Sequence, residues 1–369
     1  MTTVRSNIIQ QFARKGVLEL IRGQNMKSPN MTKVTQDIAP EDIARLNLNE
    51  NAFGCSPRVF RALGEYQGYN CYPDVAQREI REMLADYAGT APDNIVGTGG
   101  ADQLLDLVVR LFVDPGEEII LTIPTFDRCG FSAKLSGGIV KEVLRDNAFA
   151  IDVSAVKAAI NEKTKLIFLA NPNNPTGNIT PKEDIFKLIQ TGIPIIIDEA
   201  YFEFSGETVA PFIDRFPNII VVRTLSKWAG LAGFRFGYGI MNPEIAECLM
   251  KIKPPYSPTI PSVIALRESL KDMAYLKSNI DTIINERERL FKDFKALDFL
   301  QPYPSRANFI YCSLNKGNAE TITLELAKTG LLIRHYDTPL LKNGFRITIG
   351  KPAQNDRLIS ALTEIGKTL

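Results

Sequence analysis

Lys227 closes the stretch Thr224-Leu225-Ser226-Lys227, immediately after an apolar, β-rich run. An amine placed at the end of an apolar strand loses water, its pKa falls, and it becomes a nucleophile able to form a Schiff base with an aldehyde. The ordinary alternative is a solvated surface lysine, the commoner fate of that residue type. Four more apolar runs end in polar signatures: Gly97-Thr98-Gly99-Gly100-Ala101-Asp102, Pro124-Thr125-Phe126, Asn171-Pro172-Asn173-Asn174-Pro175-Thr176-Gly177 and Asp198-Glu199-Ala200-Tyr201. Ligands of open α/β sheets bind in the crevice at the carboxyl ends of the strands, so signatures gathered there point to a site, and the chain reads as an enzyme.

Each signature has its own chemistry. Arg235 lies eight residues beyond Lys227, past Gly230 and Gly233, and with Thr224 and Ser226 it can hold a phosphate through a planar, charge-assisted fork. The glycine turn at Gly97 to Asp102 enters a helix from Leu104 and aims free backbone N–H groups at an anion, although a plain strand-to-helix turn accounts for it too. Asp102 stands where the third glycine of GxGxxG would be, and the spacing is not that of a Walker A loop, which disfavours nicotinamide and nucleotide binding.

Asp198 follows Ile195-Ile196-Ile197, where an unpaired buried charge costs several kcal/mol. A protonated pyridine nitrogen is one suitable partner, and Asp on pyridinium is how proteins strengthen pyridoxal phosphate as an electron sink. A helix cap or a buried bridge to an arginine is the structural alternative. Tyr201 and Asn174 can hydrogen-bond to a phenolic oxygen, and Phe126 offers a flat face for stacking, or for ordinary core packing.

The elements that must position these residues alternate along the chain. Strands are expected at Glu118–Ile123, Leu166–Ala170, Ile193–Ile197 and Ile219–Val222, and helices at Gln77–Tyr87, Leu104–Phe112, Val153–Ile160 and Lys182–Gln190. That order predicts an α/β fold with a mainly parallel sheet covered by helices on both faces. Beyond Pro254, Pro255, Pro258 and Pro261 the texture changes to a long charged helix, roughly Met273–Leu297, and short strands at Ala307–Cys312, Leu331–Arg334 and Phe345–Ile349. The expected division is an amino-terminal arm with part of a small domain (1–54), a large domain (55–258) and a small α+β carboxyl-terminal domain (259–369).

Composition narrows the partners. Of the 369 residues 45% are hydrophobic, and 43 Lys and Arg nearly balance 42 Asp and Glu, so no basic field suggests nucleic acid or an anionic membrane, and a small-molecule partner is expected. Five scattered cysteines without a CxxC pair argue against a zinc site or a disulfide framework and fit a reducing cytoplasm, and no metal is expected. Polar residues interrupt Ile8 to Ile21, which reads as an amphipathic helix rather than a signal peptide, and no run approaches the roughly 18 apolar residues of a membrane span.

In order and spacing the signatures resemble the fold-type I pyridoxal-phosphate-dependent aminotransferases, and among them the histidinol-phosphate aminotransferase group, from about Leu46 to the carboxyl terminus. The resemblance implies that Lys227 carries the cofactor covalently, Asp198 pairs with its pyridinium, and Asn174 and Tyr201 hold its phenolic oxygen against Phe126. Gly100, Ala101, Asp102, Thr224, Ser226 and Arg235 would form the cofactor's phosphate cradle. Tyr72, in Tyr72-Pro73-Asp74, would reach the cofactor phosphate of a neighbouring subunit, which implies a homodimer with shared sites. Arg334 and Arg346, with Asn308 nearby, would hold the substrate's anionic group. The implied reaction converts L-histidinol phosphate and 2-oxoglutarate to imidazole-acetol phosphate and glutamate, in histidine biosynthesis.

Rival readings are an aminotransferase for an aromatic amino acid or another small amino-phosphate, an amino-acid-phosphate decarboxylase, and a non-catalytic binding protein on the same scaffold. His335, the only histidine, is a weak candidate base because Lys227 already supplies one. Two departures from the group's pattern, Cys129 where a tyrosine is usual and the lack of a recognisable amino-terminal Pro-Tyr element, are expected to touch the substrate pocket.

Overall fold

Runs such as Leu166-Ile167-Phe168-Leu169 and Ile195-Ile196-Ile197 are apolar at every position, so a strand made from them must be covered on both faces. The structure, a computed structural model describing residues 8–23 and 34–369, places them at the centre of a seven-stranded sheet. After a short β1 (Ala44–Arg45) the strands are β2 (Ile95–Thr98), β3 (Glu118–Ile123), β4 (Ile139–Leu144), β5 (Thr164–Ala170), β6 (Ile195–Asp198), β7 (Ile219–Thr224) and β8 (Gly237–Met241). Their order across the sheet is β2-β8-β7-β6-β5-β3-β4, and β8 alone runs antiparallel to its neighbours. Alternate residues of β5 face different cores: Ile167 and Leu169 join one cluster, Leu166, Phe168 and Ala170 the other. Helices therefore cover both faces, as the alternation of strands and helices along the chain leads one to expect.

Because the other strands share one direction, the carboxyl ends of β2, β3, β5, β6 and β7 lie along one edge, and these are the ends that carry the five polar signatures. Gly237 sits across from both Thr98 and Thr224. A Cβ there would overlap the backbone of Gly100 and Ala101, so the missing side chain is what lets the glycine turn close over the end of β7.

The second sheet is antiparallel, in the order β12-β13-β10-β9, from β9 (Leu300–Pro302), β10 (Phe309–Leu314), β12 (Arg334–His335) and β13 (Gly344–Thr348). The expected single strand Leu331–Arg334 is divided. Leu331–Leu332, β11, pairs in parallel with β1, whereas Arg334–His335 crosses to β13, with buried Ile333 between them. Leu46 receives a hydrogen bond from the Thr348 N–H and donates one to the Leu332 carbonyl, which fastens the chain just before residues 47–50 to this sheet.

Helices Arg78–Ala88, Ala101–Phe112, Val153–Ala159, Lys182–Ile189 and Met273–Lys295 form close to their expected places. The expected helix over Ile8 to Ile21 is instead two, Ile8–Phe12 and Lys15–Gly23, the second packed on helix Arg128–Ser136. Residues 1–7 and 24–33 of the expected amino-terminal arm lie outside the described residues. The proline-rich segment leads into helix Ile260–Leu270, which packs against helix Pro57–Glu65. Strands β4 and β8 were not expected: β8 contains two glycines in Gly-Tyr-Gly-Ile-Met, and β4 is an edge strand whose polar Lys141 and Glu142 interrupt the apolar pattern.

Candidate active site

Asp198 and Glu199 are consecutive, buried and treated in opposite ways. Glu199 is saturated: Arg223 donates to Oε2 through Nη2 at 2.8 Å and Nε at 3.0 Å, Thr208 adds a hydroxyl, and the Val209 N–H binds Oε1. Asp198 accepts one backbone N–H, from Ala200 at 3.0 Å, and makes no ion pair among the described residues. The arginine bridge considered for Asp198 thus belongs to its neighbour. Burial, reinforced by the charges of Asp102 and Glu199 and opposed by Lys227, pushes the Asp198 carboxyl up to about 7. Such a group calls for a cation from a ligand.

Lys227 lies across the same cavity, its Nζ donating to the Leu48 carbonyl at 3.1 Å. Burial first, then the Arg346 charge, depresses its amine to about 8, while Glu50 opposes the shift. A substantial neutral fraction at mildly alkaline pH is what a nucleophilic and proton-carrying lysine requires.

At the other end of this cavity of about 270 Å³, helix Ala101–Phe112 begins at Gly100, which has φ +99°. No described group accepts from the Ala101 or Asp102 N–H. The Thr224 hydroxyl donates to the Phe236 carbonyl at 3.0 Å and lies 3.0 Å from the Ser226 hydroxyl. Arg235, held in the left-handed region at φ +54°, lies 3.5 Å through Nη1 from Ser226 Oγ and 3.2 Å through Nη2 from Asp102 Oδ2. A Cβ on Gly100 would sit 2.9 Å from that Nη2. Free N–H groups, hydroxyls and a guanidinium form a donor set for a phosphate, with a carboxylate lacking a cation and an activated lysine beside it. Pyridoxal phosphate, with its phosphate, pyridinium and aldehyde, fits these residues.

The cavity shares Leu48, Phe126, Asn174, Tyr201 and Lys227 with a wider cleft of about 860 Å³ whose walls include Arg334 and Arg346. Arg346, only 6% exposed, donates through Nη1 to Asn174 Oδ1 at 2.5 Å and through Nη2 to the Asn47 carbonyl at 2.8 Å. Its Nε has no partner, and its guanidinium faces the Phe309 and Tyr336 rings. Arg334 lies over Tyr336 in the same cleft. Asn308, expected to hold substrate, lines neither cavity: it is wholly buried behind the cleft residues, gives its Nδ2 to the Asn49 carbonyl at 3.1 Å, and keeps an unpartnered Oδ1. Tyr201, its hydroxyl pushed up to about 12 by burial, accepts from Asn49 Nδ2 at 2.8 Å.

Besides Asn308, three residues singled out in the sequence stand elsewhere. Tyr72 does not line the Lys227 cavity of its own chain; it is 76% exposed and stacked on Tyr256 with centroids 4.1 Å apart. Cys129 corrects an expectation: it is fully buried in a core cluster with Ala133 and lines neither cavity, so this departure from the tyrosine pattern changes core packing instead of the pocket wall. His335 lies 3.1 Å through Nδ1 from the Gly344 carbonyl and lines neither cavity.

Residues 47–51 carry no motif that the sequence alone would single out. In the structure Leu48 and Glu50 line the cofactor-sized cavity and Asn47 and Asn49 the wider cleft, held where the Asn49 N–H donates to the Thr348 hydroxyl, 299 residues away, and that hydroxyl donates to Asn49 Oδ1. Asparagine at 47, 49 and 51 was the available signal, but it names no partner.

The family profile for aminotransferases of class I and II matches residues 41–362. A histidinol-phosphate aminotransferase from Dehalococcoides mccartyi is 42% identical over 341 residues, covering 92% of this chain and 94% of its own. A chloroplastic histidinol-phosphate aminotransferase from Arabidopsis thaliana is 41% identical over 88% of this chain and 79% of its own. The crystal structure of histidinol-phosphate aminotransferase from Sinorhizobium meliloti in complex with pyridoxal-5'-phosphate superposes with a TM-score of 0.87 at 28% identity, covering 97% of this chain and 99% of that one. With a sheet edge, lysine and phosphate cradle of this kind, the chain belongs to the pyridoxal-phosphate-dependent class I and II aminotransferases, in their histidinol-phosphate aminotransferase group.

Proposed function

We propose that this enzyme transfers the amino group of L-histidinol phosphate to 2-oxoglutarate, giving imidazole-acetol phosphate and glutamate. The observation that carries the reading is Arg346, a buried guanidinium with an unpartnered Nε in the cleft that holds Lys227. Together with Arg334 it suits the phosphate of the donor or a carboxylate of the acceptor.

Pyridoxal phosphate would be held by Lys227, by Asp198 at its ring nitrogen, by Asn174 and Tyr201 at its phenolic oxygen, and by Phe126 against its ring. Its phosphate would lie on Ala101, Asp102, Thr224, Ser226 and Arg235. When bound, it supplies an electron sink for the pair released as the substrate C–H bond breaks. Lys227 Nζ, neutral above about pH 8, takes that proton and returns it to the far end of the reacting system. Asp198, stabilised as the carboxylate by the ring nitrogen's charge, keeps that nitrogen protonated. Arg346 orients Asn174 through Oδ1, leaving the amide Nδ2 for the pocket.

A homodimer is part of the proposal. Tyr72 and Tyr256 are exposed, as are Phe60, Tyr69 and Val75, and association through this apolar face would carry Tyr72 toward the phosphate cradle of a second copy. Free thiols at all five cysteines support a cytoplasmic setting, and no helix among the described residues is long and apolar enough to cross a membrane.

The test is the absorbance change of the cofactor-loaded protein on adding L-histidinol phosphate, beside phenylalanine, tyrosine, glutamate and phosphothreonine. Rapid conversion to the amino form of the cofactor by histidinol phosphate, and not by the non-glutamate alternatives, supports the assignment. Inertness toward it, with conversion by another amine, overturns it.

A further inference from the structure

The wider cleft carries charges of both signs. It is lined by Arg334 and Arg346 from the small sheet and by Asp127, Glu142 and Leu144 from the β3 exit and edge strand β4 of the large one. Glu142 and Leu144 are two residues apart on the strand and share a face, while Val143 between them is buried. Asp127 immediately precedes helix Arg128–Ser136 without a side-chain bond to it, and a Cβ on Gly130 would overlap its Oδ1, so the glycine leaves room for the carboxylate. Neither carboxylate has a hydrogen-bond or ion-pair partner among the described residues, although all three residues line the cleft. Partial loss of water raises the Asp127 carboxyl above its ordinary range, the Lys134 charge opposes this, and the nearby Glu142 charge adds to it.

Two acidic side chains alone do not make a site. The independent sign that this cleft takes a ligand is Arg346, which lines it, is more than nine-tenths buried and has an unpartnered Nε. An anion placed there leaves the remainder of its molecule within a cleft that Asp127 and Glu142 also line.

Resting on the reading given above, we infer that Asp127 and Glu142 are specificity-determining residues, which select the imidazole end of the amino donor by accepting its N–H groups and favouring its cationic form. The same pair acts against donors whose far end is neutral or anionic. An imidazole has two N–H donors when protonated and titrates close to neutrality, so carboxylates can recognise it where they cannot recognise a phenyl ring. Glutamate and 2-oxoglutarate must use the cleft too, and a second carboxylate near Asp127 and Glu142 is repelled, which directs it to Arg334 and Arg346. One cleft can thereby serve two unlike substrates in alternate half-reactions.

The experiment compares the holoenzyme with a variant carrying Asp127→Asn and Glu142→Gln, and with single Glu142→Lys. Donors are L-histidinol phosphate, L-phenylalaninol phosphate, which keeps the phosphate but has a neutral ring, and glutamate. Loss of partly exposed charge contacts should lower the preference for histidinol phosphate over phenylalaninol phosphate by roughly 5- to 20-fold in the double variant, carried by KM rather than kcat. Glu142→Lys should lower it further, and the KM for glutamate should fall in both variants. An unchanged preference in both variants overturns the inference alone. If the unaltered enzyme does not turn over histidinol phosphate, while glutamate converts it, the substrate reading falls and this inference with it.

Discussion

The two ends of the cleft are built differently. The cofactor end is assembled from neighbouring strand ends of one sheet, with Ala170, Asp198 and Val222 in direct register across β5, β6 and β7. The substrate end joins residues 47–49, the β3–β4 wall and the segment from Arg334 to Arg346, parts that meet only through long-range contacts such as Asn49 to Thr348. A single rigid sheet suits fixed chemistry on one unchanging group. Loops and an edge strand suit a surface that must accept two different substrates. Changes at the first end should therefore abolish turnover with every donor, and changes at the second should re-rank donors.

The largest effect belongs to Lys227→Ala. Loss of this residue, in its proposed roles as covalent anchor and proton carrier, should cut turnover by on the order of 10⁴-fold or more with histidinol phosphate and with glutamate alike. Single-turnover absorbance measurements check this. Near-normal turnover, or loss confined to one donor, would break the distinction between the two ends.

Asp198→Asn should nearly abolish activity too, yet it has a second signature. With its carboxyl pushed up to about 7, folded protein lacking cofactor holds a proton that the unfolded chain has already released from the ordinary carboxylate range upward. Stability without cofactor therefore declines as pH rises through that window and remains reduced above it. The asparagine variant escapes this loss, so at pH 8 and without cofactor it should be more stable than the parent by roughly 1 to 3 kcal/mol. In the presence of pyridoxal phosphate the order should reverse, because only the carboxylate can pair with the ring nitrogen. Thermal melts at pH 5 and 8, with and without cofactor, read both signs.

The same contrast governs what the sequence discloses. Strand-end signatures are local, so Lys227, Asp198, Asn174, Tyr201 and Arg235 could be singled out from runs of a few residues, and the alternation of elements indicated the parallel sheet. Asn49 could not be found in that way, because its meaning lies in bonds to Tyr201, Thr348 and Asn308. Glu142 was invisible for a related reason: β4 lies at a sheet edge, and its weak pattern hid which side chains face the cleft, while Asp127 directly follows the Pro124-Thr125-Phe126 signature and only the fold shows that it lines the cleft. Tertiary pairing also divided the expected Leu331–Arg334 strand, since β1 and β13 compete for successive residues of it.

At the substrate end, Arg346→Gln keeps an amide near Asn174 but removes the charge and the planar fork. Lost charge-assisted hydrogen bonds of this kind should lower kcat/KM for a phosphate-bearing donor by roughly 30- to 100-fold, mainly through KM. Donors lacking an anion at that end should be affected less. Steady-state kinetics with both kinds of donor sharpen the comparison, and equal losses for both would assign Arg346 to the cofactor end.

The smallest effect tests whether the two ends are electrically independent. Burial is the first cause of the depressed Lys227 amine, and the Arg346 charge is the second, while Glu50 acts in the opposite sense. Amine-selective labelling of the cofactor-free protein should accordingly be half-maximal near pH 8, against the ordinary 10.5. Arg346→Gln should raise that midpoint by roughly half a pH unit to one unit, and Glu50→Gln should lower it, because removing a positive neighbour favours the protonated amine and removing a negative one disfavours it. Neither variant should restore the ordinary value, since the burial remains. A midpoint indifferent to both would mean that the sheet end sets its lysine alone. Opposite shifts would mean that the substrate's own anion, by neutralising Arg346 on binding, raises the proton affinity of Lys227 when it must accept the substrate's proton.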